Sequence, residues 1–143
     1  MKCGTVYCRK DVLFAHANSQ TTDGVWILTE PCKRVHGETP CEIGEALLRI
    51  LQGSKTGVPH PTSWGGGFAP MLKLAGVKSW RTFTKSTRCV EVALEEALVK
   101  LTPTQNMGPG KGFAHIPEAT RTAPANDAAE VGNTLLEVIE LCS

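Results

Sequence analysis

The sequence predicts an α/β protein of the α+β kind. It reads as one domain of two βββα-like copies, forming one mostly antiparallel sheet with two long helices on one face. Three observations carry this. First, "GETPCEIGEALLRIL" (37–51) is an amphipathic helix with its start signal attached. Second, "NDAAEVGNTLLEVIEL" (126–141) says nearly the same thing again. Third, strand-like segments precede both helices in the same order. Neither copy buries its helix stripe well alone, whereas one sheet carrying both helices buries the two stripes together.

The helices are the firmest elements. Thr39 suits an N-cap, Pro40 the first helical position, and Glu42 stands three residues after the cap. Ile43, Leu47, Ile50 and Leu51 recur at helical spacing. At one offset, Glu42, Gly44, Leu47 and Leu48 are matched by Glu130, Gly132, Leu135 and Leu136, and Asp127 with Glu130 repeats the capping box. The same offset pairs Gly24 with Gly112 and Glu30 with Glu118, so "GVWILTE" corresponds to "GFAHIPE". Further upstream the offset falls by two residues, and "VYCRKDVLF" aligns with "VALEEALVK". A longer loop in the second copy, "NMGPGKG" against "TTDG", accounts for the change.

Copy one (about 4–52) therefore has strands near 4–9, 12–17 and 24–30 and a helix near 40–52. Copy two (about 88–143) has strands near 89–94, 97–102 and 112–117 and a helix near 127–141. Arg9-Lys10-Asp11 and Glu95-Glu96 are the expected hairpin turns. Val99 and Leu101 alternate with Lys100 and Thr102, so they should face the helices. Carried to copy one, this puts Leu13 and Ala15 inside and Phe14 and His16 on the opposite face. Those two form a candidate contact patch unless the connecting segment folds over them.

That segment, 53–87, belongs to neither copy. Its first half is rich in Gly, Pro, Ser and Thr and reads as loop. Phe68 to Ala75 reads as a short helix stopped by Gly76, and Ser79 as the cap of another turn holding Trp80 and Phe83. A connection this long in a small domain is functional or disordered, and its aromatics, Trp64 and Trp80 among them, argue for packing. It is also basic. Between Ala46 and Val90 there is no Asp or Glu, while Arg49, Lys55, Lys73, Lys78, Arg81, Lys85 and Arg88 are all present. Such asymmetry speaks to partners, not to fold. His60, Trp64, Lys73, Lys78, Trp80, Arg81 and Lys85, with Phe14 and His16, are the candidate partner-binding residues.

Composition bounds the rest. The 143 residues are 41% hydrophobic and 20% charged with a net charge of +1, an ordinary globular profile. No apolar run approaches the ~20 residues that span a bilayer, and no secretory signal is visible, so a cytoplasmic location is expected. The six cysteines contain no C-x-x-C pair and the four histidines stand singly, so no metal site and no cofactor is expected. "PGKG" and "WGGG" do not fit a phosphate loop. Cys41, at the second helical position, would feel the helix N-terminus, which lowers a thiol pKa. The second copy has Ala129 there, which points to an incidental small residue. No catalytic residue stands out, and the chain does not read as an enzyme.

"GVWILTE", "EIGEALLRIL", "GVPHPT", "LAGVKSW", "CVEV", "LTPTQN", "GFAHIPE" and the closing "EVG" and "LLEVI" together resemble the immunity proteins of contact-dependent growth inhibition systems (CdiI-type). The resemblance covers nearly the whole chain. It implies a cytosolic, non-catalytic protein that binds and neutralises the C-terminal toxin domain of a cognate CdiA effector, often a nuclease. It also implies an architecture like that of Whirly single-strand-binding proteins. Many immunity proteins are plainly acidic and this one is not, which weighs against simple charge mimicry. The alternative is a single-stranded nucleic-acid binder, with the basic middle as groove and Trp64, Trp80 and Phe14 as stacking residues. Six percent aromatic content is low for a stacking platform and favours the toxin-binding reading.

Overall fold

Each copy begins with the same hairpin. The computed structural model describes residues 1–143. Strands β1 (Lys2–Arg9) and β2 (Val12–Thr21) are joined by Lys10-Asp11, and β5 (Arg88–Glu95) and β6 (Leu98–Asn106) by Glu96-Ala97. All four turn residues have positive φ, between 49° and 66°. That is the two-residue turn whose twist matches the flanking strands. The remaining elements are β3 (Trp26–Arg34), α1 (Pro40–Gln52), β4 (Thr56–Val58), α2 (Ala69–Ala75), α3 (Trp80–Thr84), β7 (Phe113–His115), β8 (Arg121–Pro124) and α4 (Ala128–Glu140). No helix is long and apolar enough to cross a membrane.

The eight strands form one sheet in the order β3-β2-β1-β5-β6-β7, with β8 also on β6 and β4 on β2. All pairs are antiparallel except β2 with β4. The copies meet where β1 pairs with β5. In that register Thr5 lies opposite Glu91 and Val6 opposite Val90. Thr5 and Glu91 are also equivalent residues of the two hairpins, so a local twofold axis passes between them.

Both long helices lie on one face. Ile43, Leu47, Ile50 and Leu51 of α1 and Val131, Leu135, Val138 and Ile139 of α4 share one core with Val6, Ala15, Val90, Val99 and Leu101. Leu47, Leu51, Val131, Leu135 and Val138 are fully buried, each contributing roughly 2 kcal/mol. The caps are those the sequence predicts. Thr39 Oγ1 accepts from the Glu42 N–H at 3.2 Å, and Asp127 Oδ1 from the Glu130 N–H at 3.1 Å. The helices cross at the two matched glycines. A Cβ on Gly44 would overlap the carbonyl oxygen of Ala128, and one on Gly132 that of Pro40.

Two expectations need correction. The strand near 112–117 is shorter and is followed by a second one. Its last ladder bond is Ile116 N–H to the Pro103 carbonyl at 2.9 Å; Pro117 offers no N–H, a 3-10 turn spans Pro117–Ala119, and pairing resumes in β8. Copy one interrupts its strand at the same place, where Glu30 and Pro31 are extra residues between Thr29 and Cys32 opposite β2. The first half of 53–87 is also not all loop. Gln20 N–H bonds the Lys55 carbonyl at 2.9 Å and Thr22 N–H the Val58 carbonyl at 3.0 Å, laying β4 along the end of β2.

The exposed turn Glu96-Ala97 holds two L-residues at φ 49° and 66° without glycine. The double replacement Glu96→Asn/Ala97→Gly is expected to stabilise the fold by about 1 kcal/mol, read as a higher urea midpoint. An unchanged or lower midpoint contradicts the turn assignment.

Candidate functional site

The sheet face away from the helices is where segment 53–87 returns. Alternation places Thr5 and Tyr7 of β1, Phe14, His16 and Asn18 of β2, and Cys89 and Glu91 of β5 on it. At one end α2 and α3 close a second core of Tyr7, Phe14, Met71, Phe83 and Cys89. Helix α2 stops at Gly76, whose φ of 73° suits a glycine C-cap, and Ser79 Oγ caps α3 by accepting from the Thr82 N–H at 3.1 Å. Trp80 stacks on Phe68 at 3.9 Å between ring centres and on Phe83 at 5.2 Å. Tyr7 meets Phe83 edge-on at 5.2 Å.

The exposed Phe14–His16 patch therefore does not exist. Phe14 is 5% exposed and lies against Phe83; His16 is 2% exposed. The connecting segment buries them because an eight-stranded sheet with helices on one face leaves apolar side chains on the other. The nucleic-acid stacking set is also broken up: Phe14 is covered, Trp80 is packed within the chain, and Trp64 alone is 61% exposed.

The other candidates lie on the covering segment itself. Lys73 on α2, Lys78 between the helices, Arg81 on α3 and Lys85 after it are exposed and form no ion pair. Arg49 and Arg88 differ, pairing with Glu45 at 3.8 Å and Glu140 at 3.4 Å. His60 is half-buried. Its Nδ1 is 2.9 Å from Thr21 Oγ1 and 3.6 Å from Asp23 Oδ2, and its ring meets Trp64 edge-on at 5.3 Å. His60 thus anchors the loop that carries Trp64.

Between this loop and the sheet lies a cavity of about 570 Å³. Thr5, His16, Asn18 and Glu91 form its floor, and Trp26, Trp64 and Phe68 stand at its rim. Asn18 Nδ2 donates to Thr5 Oγ1 at 2.9 Å, and Thr5 Oγ1 donates to Glu91 Oε2 at 3.1 Å. Burial raises the Glu91 carboxyl above its ordinary range, against the pull of the Thr5 hydrogen bond and nearby His115. His16 Nδ1 is 3.0 Å from the Ala17 carbonyl, while Nε2 has no partner. Burial pushes its pKa down to about 4.

The sequence reading missed Thr5, Asn18, Trp26, Glu91 and His115. One signal was present. The alternation that turns Val90 and Val92 toward the helices turns Glu91 to the other face, in mid-strand, where a carboxylate is unusual.

No thiol is activated. Desolvation, the hydrogen bond to Glu45 at 3.6 Å and the charges of Glu45, Asp127 and Glu42 raise the Cys41 pKa, in keeping with its reading as an incidental small residue. The other five cysteines are raised too, in each case chiefly by burial. No group of three or more His, Cys, Asp or Glu side chains is placed to hold a metal ion.

No family model and no curated protein matches the chain. Solved structures do share its fold. A protein of unknown function from Neisseria meningitidis superposes with a TM-score of 0.80 at 14% identity, covering 99% of this chain and 95% of that one. A chain of the CdiA-CT/CdiI toxin and immunity complex from Yersinia pseudotuberculosis superposes with a TM-score of 0.72 at 12% identity, covering 99% and 97%. At these identities the likeness is one of fold.

His16 makes the cavity floor sensitive to acid. Its folded pKa of about 4 lies below its ordinary 6.5, so between those values the unfolded chain binds the proton first. Stability is then lost as pH falls through that window, by about 3 kcal/mol in total. Glu91 acts oppositely: its raised pKa contributes stability that is present at low pH and lost as pH rises through the folded value. In His16→Phe, stability measured by urea unfolding is expected to stop rising between pH 4.5 and 6.5. An unchanged profile would show that His16 is not held neutral by the fold.

Proposed function

We propose that this chain is an immunity protein that binds the C-terminal toxin domain of a CdiA-type effector, a nuclease, and neutralises it in the cytoplasm of the producing cell. The observation that carries this reading is the fold shared, over nearly the full length of both chains, with a chain of a CdiA-CT/CdiI toxin and immunity complex. The CdiI-like sequence segments point the same way.

The protein acts by binding and not by catalysis. All six thiols are raised in pKa, which keeps them protonated and poor nucleophiles at neutral pH. The binding face is the sheet face covered by segment 53–87. It combines exposed, unpaired Lys73, Lys78, Arg81 and Lys85 with the aromatic rim of Trp26, Trp64 and Phe68. Aromatic residues anchor protein interfaces, while unpaired cations at a rim steer an acidic partner and suppress wrong ones. Arg81 and Trp64 are the expected anchors; Trp80 supports the surface from beneath.

The reading expects an effector gene immediately upstream, and the test uses the toxin domain it encodes. Co-expression of the wild-type chain should rescue growth, and the two proteins should co-purify. Replacing Lys73, Lys78, Arg81 and Lys85 together by Ser should lower affinity at least tenfold and weaken protection. Full protection at unchanged affinity by a folded variant would remove the basic surface from the interface. Salt separates the two partner classes. Contact with six or more phosphates would cost roughly 10³-fold in affinity between low and moderate salt, whereas a toxin interface should lose far less.

A further inference from the structure

The cavity beneath the glycine-rich loop has one carboxylate, Glu91, in its floor and no lysine or arginine in its lining. His16 Nδ1 faces the Ala17 carbonyl, which accepts only, so Nδ1 carries the proton and Nε2 presents a lone pair. That nitrogen is buried and has no partner in the chain. The Thr5 hydroxyl directs its one proton to Glu91 Oε2 and receives one from Asn18. Glu91 Oε1 receives only the weak Cys89 thiol donor at 3.8 Å. The carboxylate thus has an oxygen free for a stronger donor; Tyr7, Asn18 and His115 also line the cavity, and of these His115 bears on Glu91 through its charge. Lys100 lies in an adjoining groove.

A buried acceptor without a donor is costly, and natural structures rarely keep one idle. The matching group is donor-only, cationic and flat. A guanidinium carries five N–H donors in one plane and no acceptor, and its face stacks on aromatic rings. Trp26 and Trp64, at 37% and 61% exposure, stand at the mouth for that contact. An ammonium would satisfy the charge but not the planar stacking. None of the basic residues of α2 and α3 lines the cavity.

We propose that this cavity receives the guanidinium of an arginine side chain from the partner protein, held by the Glu91 carboxylate above the buried His16 and stacked at the tryptophan rim. The assignment of the source rests on the immunity reading above; the chemistry of the pocket does not. The partner then meets two surfaces of opposite character, a basic ridge on α2–α3 and a socket with a carboxylate in its floor beside it. This arrangement fixes orientation as well as attraction.

The probe is ethylguanidinium, the arginine side-chain analogue, titrated into the full chain while the His16 ring nitrogens are followed by long-range ¹H–¹⁵N NMR. His16→Phe identifies the resonance. A saturable shift of Nε2 is expected, with a dissociation constant on the order of 10 mM for so small a ligand. Glu91→Gln should weaken it at least tenfold, and N-ethylurea, neutral and of the same shape, should bind at least tenfold more weakly. Absence of a saturable shift, or equal binding of N-ethylurea, overturns the cationic assignment. In the second arm the upstream-encoded toxin domain is titrated against wild type and Glu91→Gln. An at least tenfold loss is expected, and one Arg→Ala change in the toxin domain should lose as much alone and nothing further when combined. Unchanged toxin affinity in Glu91→Gln, with the ethylguanidinium shift present in the wild type and weakened in the variant, would assign the pocket to a free guanidino compound and overturn the partner source. A wild-type chain that does not bind the toxin domain overturns the immunity reading and the source together, while the first arm still decides the pocket chemistry.

Discussion

The two helices touch backbone to backbone at Gly44 and Gly132, and the rest of the molecule follows from that contact. Each glycine faces the first-turn carbonyl of the other helix, Ala128 for Gly44 and Pro40 for Gly132. No side chain fits between them. The close approach lets Ile43, Leu47 and Leu51 share one layer with Val131, Leu135 and Val138 over the centre of the sheet. The same local twofold that relates the glycines relates Thr5 to Glu91 in the paired strands β1 and β5. One symmetric arrangement therefore fixes helix spacing above the sheet and places a threonine–carboxylate pair at its middle below.

The helices cover one face and leave the other without a partner of its own. An open sheet of eight strands with Tyr7, Phe14 and Cys89 on that second face must bury them, and segment 53–87 does so with Met71, Phe83 and Trp80. The cover is incomplete. It ends near the glycine-rich loop at 65–67, over a cavity that the sheet centre supplies with polar groups. The duplicated frame thus accounts for stability, and the unduplicated insertion supplies the particular surface.

Much of this was legible in the sequence, for local reasons. Caps, helix periodicity and the matched glycines are short-range signals, and Thr39, Asp127 and Gly76 do what their types suggest. The inward direction of Val99, Leu101 and Ala15 follows from strand alternation. The misses are properties of pairing across the chain. The break between β7 and β8 reflects how Pro117 and the interrupted partner strand share β6, which no single segment displays. Gly44 and Gly132 served as alignment markers because a close contact between helices leaves no other trace in either helix. Glu91 shows in the sequence only its alternation with Val90 and Val92; its burial depends on β5 lying between β1 and β6. Burial of Phe14 and His16 depended on where 53–87 lands, and this is decided by packing alone.

Unfolding of Gly44→Ala, Gly132→Ala and the double variant by urea is the most direct test of the helix contact. On an open helix surface either change would stabilise by up to about 1 kcal/mol, because alanine is the better helix former. Here each is expected to destabilise by about 2 kcal/mol or more, since the added methyl must push apart two backbones. The double variant should lose less than the sum, because the first methyl already separates the helices that the second would part. Stabilisation by either single change, or strict additivity of the two, would contradict a fold organised on this crossing.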